Sequence, residues 1–147
     1  MESNIIRYIF DANAIRGLSY ETIEHKRNAN TILETTSDII YELGDRAANK
    51  LKLLNVCKMS ASIYKKMPQI LKHPNVRALL DYYNNKGVGD IGIIAHALTV
   101  NDGMLLTDKI IVVTDDEGLK AACDELKIIW LSPNYLKVSH LSHFEAD

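Results

Sequence analysis

Residues 110–113 are four consecutive β-branched apolar residues that run straight into Thr114, Asp115, Asp116 and Glu117. An apolar run this short, with no polar alternation, predicts a strand buried on both faces of a parallel sheet. Residues 5–10 (Ile-Ile-Arg-Tyr-Ile-Phe) predict a first strand, broken in apolar character only by Arg7 and ending in Asp11-Ala12-Asn13. Residues 127–131 predict a last strand, stopped by Pro133. Residues 54–59 suit either a short strand or the continuation of a helix.

Between these runs the spacing is helical. Residues 14–33 read as mostly helix, with a break near Gly17 and a polar stretch from Glu21 to Asn30. Thr35-Thr36-Ser37-Asp38 is a cluster of N-cap residues. Ile40, Leu43, Ala47, Leu51 and Leu54 then recur at helical spacing, with Glu42 beside that stripe. Residues 60–72 and 75–85 predict two helices parted by His73-Pro74, proline being suited to the first position of a helix. Gly87-Val88-Gly89 reads as a loop. Asp90 opens a helix through Leu98 that is apolar nearly all round and so should be buried. Residues 101–109, with Asp102 and Asp108, read as a loop. Leu119, Ala122, Cys123 and Leu126 mark a helix after the acids. Strands alternating with helices predict a single α/β domain over 1–147, a three-layer α-β-α arrangement around a mostly parallel sheet.

Composition narrows the class. Apolar residues make up 47% of the 147, which suits a globular chain rather than a disordered one. No apolar run approaches a membrane span, and no signal-peptide pattern opens the chain. Cys57 and Cys123 form no disulfide framework and predict reduced thiols in a cytoplasmic protein. The net charge of −2 conceals an asymmetry. Residues 1–45 carry four basic and eight acidic side chains, 46–86 nine basic and one acidic, and 87–147 four basic and ten acidic. The middle block could hold a polyanion while the ends hold cations; the alternative is that its lysines coat solvated helix faces. Lys58, Lys65, Lys66, Lys72, Arg77 and Lys86 are the candidate contacts, with Tyr64, Tyr82 and Tyr83 interleaved.

Four acids stand out by position: Asp11 after the first strand, Glu42 at the edge of a buried stripe, Asp90 at the head of an apolar helix, and Asp116 after the strand at 110–114. Each has a plain structural use, as turn, solvated or N-cap residue. Together they are less easily dismissed, because right-handed crossovers bring Asp11 and Asp116 to one sheet edge. Carboxylates drawn together repel unless cations join them, and ligands that are all oxygen select hard ions such as Mg²⁺ or Mn²⁺.

The ordered set resembles the PIN-domain family. Asp11-Ala12-Asn13 matches its first-strand Asp, small residue and Asn. Glu42, within Ser37–Leu43, matches its helical Glu. Asp90, heading an apolar alanine-containing helix, and Thr114-x-Asp116 match the remaining two motifs. The resemblance runs from residue 5 to about 131, without residues 55–86, and the loop at 101–109 is longer than usual. It implies a PIN-like fold and a metal-dependent endoribonuclease acting on single-stranded RNA. Asp11, Glu42, Asp90 and Asp116 would hold one or two Mg²⁺ or Mn²⁺ ions and activate a water, with Asn13 and Thr114 orienting the carboxylates. Two settings fit: the toxin of a toxin–antitoxin pair, with a small antitoxin partner and often a homodimer, or an RNA-processing nuclease. The rivals are a non-catalytic RNA- or protein-binding module and a phosphatase with Asp11 as nucleophile, though Asn13 stands where that chemistry wants a second Asp. Within the site, Thr-x-Asp spacing selects Asp116 and leaves Asp115 and Glu117 to the next helix. His140 and His143 read as tail decoration, His96 as a hydrogen-bonded core residue, and Gly87-x-Gly89 as the turn before Asp90.

Overall fold

The computed structural model describes residues 4–83, 87–102 and 108–137. Five strands form one parallel sheet: β1 (Ile6–Phe10), β2 (Thr31–Thr36), β3 (Asn55–Cys57), β4 (Lys109–Val113) and β5 (Ile129–Leu131), in the order β3-β2-β1-β4-β5. The helices are α1 (Ala12–Gly17), α2 (Tyr20–His25), α3 (Ser37–Leu43), α4 (Ala48–Leu51), α5 (Ala61–Tyr64), α6 (Met67–Ile70), α7 (Pro74–Tyr83), α8 (Gly87–Asp102) and α9 (Glu117–Glu125). A further helical turn covers 133–137. The architecture is the expected three-layer α/β class.

From β1 the chain steps outward to β2 and β3, then returns to set β4 against the other side of β1. Right-handed crossovers in opposite directions put α1–α4 on one face and the later helices on the other. Within these layers α1 packs on α3, α2 on α4, and α7 on α8 and α9, while α3, leaving the carboxyl end of β2, also meets α8 across the sheet edge. Ile110 to Val113 are buried along their whole length, as are Tyr8, Ile9 and Phe10, which is the environment a continuous apolar strand needs. The edge strands β3 and β5 are three residues each and partly exposed, which limits unwanted edge pairing.

Several expectations are corrected. Residues 14–33 break at Gly17 as expected, into short α1 and α2, but their end is not helical: Thr31–Thr36 is an interior strand. Its apolar run is only Ile32-Leu33 before Glu34 interrupts it. The charge is tolerated because Arg7 on β1 and His96 on α8 meet it. The stripe from Ile40 to Leu54 is also not one helix. Gly44, at φ +64°, breaks it into α3, a 3-10 turn (Gly44–Ala47) and α4, a backbone state that glycine adopts without penalty. Ile39 rather than Ile40 is the fully buried residue of α3. Residues 60–72 split into α5 and α6. Gly87–Gly89 is the first turn of α8, not a loop, so Asp90 lies inside that turn. The open choice at 54–59 resolves as strand β3. Lys86, residues 103–107, the tail with His140 and His143, and the side chains of Tyr82, Tyr83 and Asp102 lie outside the described residues. No helix among the described residues is long and apolar enough to cross a membrane.

Candidate active site

The sheet reverses its direction of growth between β1 and β4, and open α/β sheets keep their crevices at the carboxyl ends of such a pair. Phe10 pairs with Val113, so the residues after each strand emerge side by side. The Asp11 amide donates to the Val113 carbonyl at 3.3 Å. Thr35 Oγ1 donates to the Phe10 carbonyl at 2.9 Å, fixing the same strand end from β2.

Asp11 is the N-cap of α1. Its Oδ1 accepts from the Ala14 amide at 2.7 Å, and its Oδ2 accepts from the Thr114 hydroxyl. Thr114, fully buried, also accepts from the Asp116 amide at 3.0 Å. One hydroxyl thus ties the two acids that leave β1 and β4. Asp116 in turn caps α9, its Oδ2 accepting from the Leu119 amide at 3.2 Å. Asp115 turns outward and lies 3.7 Å from Lys120, which also pairs with Glu117 at 3.3 Å. The helix cap is therefore Asp116 itself, while Asp115 and Glu117 serve the first turn through Lys120.

Asp11, Glu42, Asp90 and Asp116 line one cavity of about 360 Å³, together with Ala12, Asn13 and Arg16. Packing of α3 on α8 brings the helices of Glu42 and Asp90 together. Arg16 is a lining residue that the sequence pattern did not single out. Its Nη1 donates to Asn13 Oδ1 at 2.9 Å and lies 3.9 Å from Glu42 Oε2. The i, i+3 spacing of Asn13 and Arg16 on a helix capped by Asp11 is the signal that could have found it. Lys50 Nζ donates to the carbonyls of Ile15 at 3.0 Å and Arg16 at 3.1 Å, anchoring the end of α1. Of the basic candidates, Lys58 follows β3 at the same sheet edge; Lys58, Lys65, Lys72 and Arg77 are exposed and Lys66 is half-buried. None of these five lines the cavity.

The acids are electrostatically coupled. Burial, then the charges of Asp11, Asp116 and Glu42, pushes Asp90 up to about 7. Burial pushes Asp11 up to about 6, against the hydrogen bonds from Thr114 and Ala14. An all-oxygen donor set in which Asp11 and Asp90 resist ionisation is one that a hard divalent cation would relieve.

A stability consequence follows from these shifts. The folded chain keeps protons on Asp11 and Asp90 that the unfolded chain has lost above about pH 4. That contribution to stability is complete below the unfolded value and is lost as pH rises through about 6 and about 7. In EDTA, the melting temperature of wild type should fall between about pH 5 and pH 8, and Asp90→Asn should flatten the fall. Mn²⁺ should restore the loss at the alkaline end. A wild-type profile that Asp90→Asn leaves unchanged would refute the coupling.

A second polar group lies within the fold. Glu34 is buried; its Oε1 is 3.1 Å from His96 Nε2, and its Oε2 pairs with Arg7 and accepts from Cys57 Sγ at 3.2 Å. Burial raises the Glu34 carboxyl, but His96, Arg7 and Cys57 outweigh it and hold the group below its ordinary value. Glu34 is therefore an anion, and His96 Nε2 donates to it. His96 is the hydrogen-bonded core residue expected from its helix. Glu34, Cys57 and His96 present ligand atoms within 4.8 Å of one another and could hold a metal ion. No local pattern marks Glu34, because none marks the strand that carries it.

Compared with protein-family models and with curated proteins, the chain gives no match.

Proposed function

We propose that the protein is a metal-dependent endoribonuclease acting on single-stranded RNA. One observation carries this: four acids from four separate segments, at 11, 42, 90 and 116, line a single cavity at the switch point of a parallel sheet. Asp11, Glu42, Asp90 and Asp116 would hold Mg²⁺ or Mn²⁺. When bound, such an ion supplies Lewis acidity and lowers the pKa of water to provide a nucleophile. The protein's part is orientation. Thr114 fixes Asp11 through its hydroxyl and Asp116 through the Asp116 amide, so both carboxylates are set before substrate arrives. Asn13 holds Arg16 beside Glu42 at the cavity wall. Lys58, Lys65, Lys72 and Arg77, exposed and outside the cavity, would offer charge to the backbone of a bound strand. A toxin with an antitoxin partner and an RNA-processing enzyme both suit this site, as does a homodimer.

The geometry weighs against the phosphatase alternative. Asn13, where that chemistry wants a second Asp, is instead engaged by Arg16, and Asp11 shares its cavity with three further acids. A passive RNA-binding groove gains nothing from four converging carboxylates.

The test is cleavage of single-stranded RNA in Mg²⁺, Mn²⁺ or EDTA. Metal-dependent cleavage is expected. Its absence on varied RNAs, by folded protein in either metal, would reject the proposal. Thr114→Val should lower turnover about 10–100-fold, the range for loss of a group that orients metal ligands, with the fold retained. A folded Thr114→Val protein at full turnover would refute that role.

A further inference from the structure

We propose that Glu34, Cys57 and His96 form a second metal site, chemically distinct from the acid cavity, that takes Zn²⁺ or a similar borderline transition-metal ion. The donors come from β2, β3 and α8, so the fold rather than a local loop assembles them. The Glu34–His96 and Glu34–Cys57 separations are 3.1 Å and 3.2 Å. In a tetrahedral zinc site, with bonds of roughly 2.0–2.3 Å, neighbouring donor atoms lie roughly 3.3–3.7 Å apart. The two Glu34 separations run to different Glu34 oxygens, and the three ligand atoms together lie within 4.8 Å of one another, so side-chain adjustment alone can close them around one ion. Carboxylate, thiolate and imidazole together favour zinc over magnesium, whereas the all-oxygen cavity has the opposite preference.

Access and charge are compatible with loading. Cys57 is half-buried on an edge strand and gives an ion a way in. His96 Nδ1 is buried without a hydrogen-bond partner among the described residues, so Glu34 holds the ring's proton at Nε2. On binding, that proton moves to Nδ1 and Nε2 becomes a ligand. The Cys57 thiol releases its proton to solvent and the sulfur bonds the ion. Because the ion displaces this proton, binding strengthens with pH. Arg7, the present counter-charge of Glu34, is a quarter exposed and can turn to solvent when the ion replaces it. Solvent supplies the fourth ligand.

The site can be tested without recourse to nuclease activity. EDTA-stripped full-length protein is titrated with Co²⁺. The expected result is near-ultraviolet thiolate-to-cobalt absorption that Zn²⁺ abolishes and Mg²⁺ does not. Cys57→Ser should lose it, while Cys123→Ser and Asp116→Asn should keep it. Arg7→Gln, which removes the competing cation, should bind Co²⁺ about tenfold more tightly. Absence of the absorption in wild type, or its persistence in Cys57→Ser, would overturn the site. Should Cys57→Ser not fold, alkylation of wild type decides the matter: saturating Zn²⁺ should protect Cys57, and unchanged labelling would overturn the proposal.

Discussion

Asp90→Asn and Asp116→Asn are each expected to remove metal-dependent RNA cleavage by more than the ~10–100-fold that loss of an orienting partner costs. Both remove one charged donor from the shared cavity. Asp115→Asn should leave cleavage within a few-fold of wild type, because that side chain faces out towards Lys120. The three variants are best assayed together at saturating Mn²⁺, with folding checked by circular dichroism. The contrast discriminates: neighbouring acids at one strand end, one inside the cavity and one outside. Equal losses at 115 and 116 would mean that gross charge matters, not placement. Undiminished cleavage by folded Asp90→Asn and Asp116→Asn would remove the site assignment while leaving open which residues perform the cleavage.

Glu34→Gln is expected to be the most destabilising single polar change. Glu34 is the common partner of Arg7, His96 and Cys57, and its loss of charge strands Arg7 beside the core. Removing one member of a buried ion pair costs about 3–5 kcal/mol. Because Arg7 is a quarter exposed, the lower end, about 3 kcal/mol, is the expected value. Urea unfolding in EDTA measures it, as a midpoint lower by roughly 1–3 M. A loss under ~1 kcal/mol would show that Arg7 escapes to solvent at little cost. The pH dependence has a definite sign. Glu34 is held below its ordinary value, so its contribution is present above the unfolded carboxylate range and is lost as pH falls through the folded value. This is the opposite of Asp11 and Asp90, whose contribution disappears as pH rises. Stability in EDTA should therefore decline on both sides of an acidic optimum.

The strands whose hydrophobic pattern is uninterrupted are legible in the residue order alone. Residues 110–113 and 5–10 read as buried strands, because such runs lose less by entering a core than by staying on a solvated surface. The helix at 117–125 is equally plain from the i, i+3, i+4, i+7 spacing of Leu119, Ala122, Cys123 and Leu126. The four acids can also be named from the order: two after strands, one beside a helical stripe and one near the start of an apolar helix. β2 cannot. A strand is recognised by what its residues bury, and Glu34 looks exposed until Arg7, distant by 27 positions, and His96, distant by 62, are known to meet it. Residues 60–72 have a helical pattern in apolar content, yet form two single turns, since local spacing does not encode the packing that stops each.

The sequence by itself determined the class of the fold, the identity of β1 and β4, and the acids at 11, 42, 90 and 116, because these follow from local hydrophobic period and from residue type. Tertiary structure decided the rest. The order β3-β2-β1-β4-β5 sets Asp11 beside Thr114, the packing of α3 on α8 brings Glu42 and Asp90 to the same cavity, and only there does Arg16 join them. It also gathers Glu34, Cys57 and His96, unrelated along the chain, into one cluster. The physical reason is common to all of these: a charge's role depends on what lies within a few ångströms of it, and those neighbours are up to a hundred residues away along the chain.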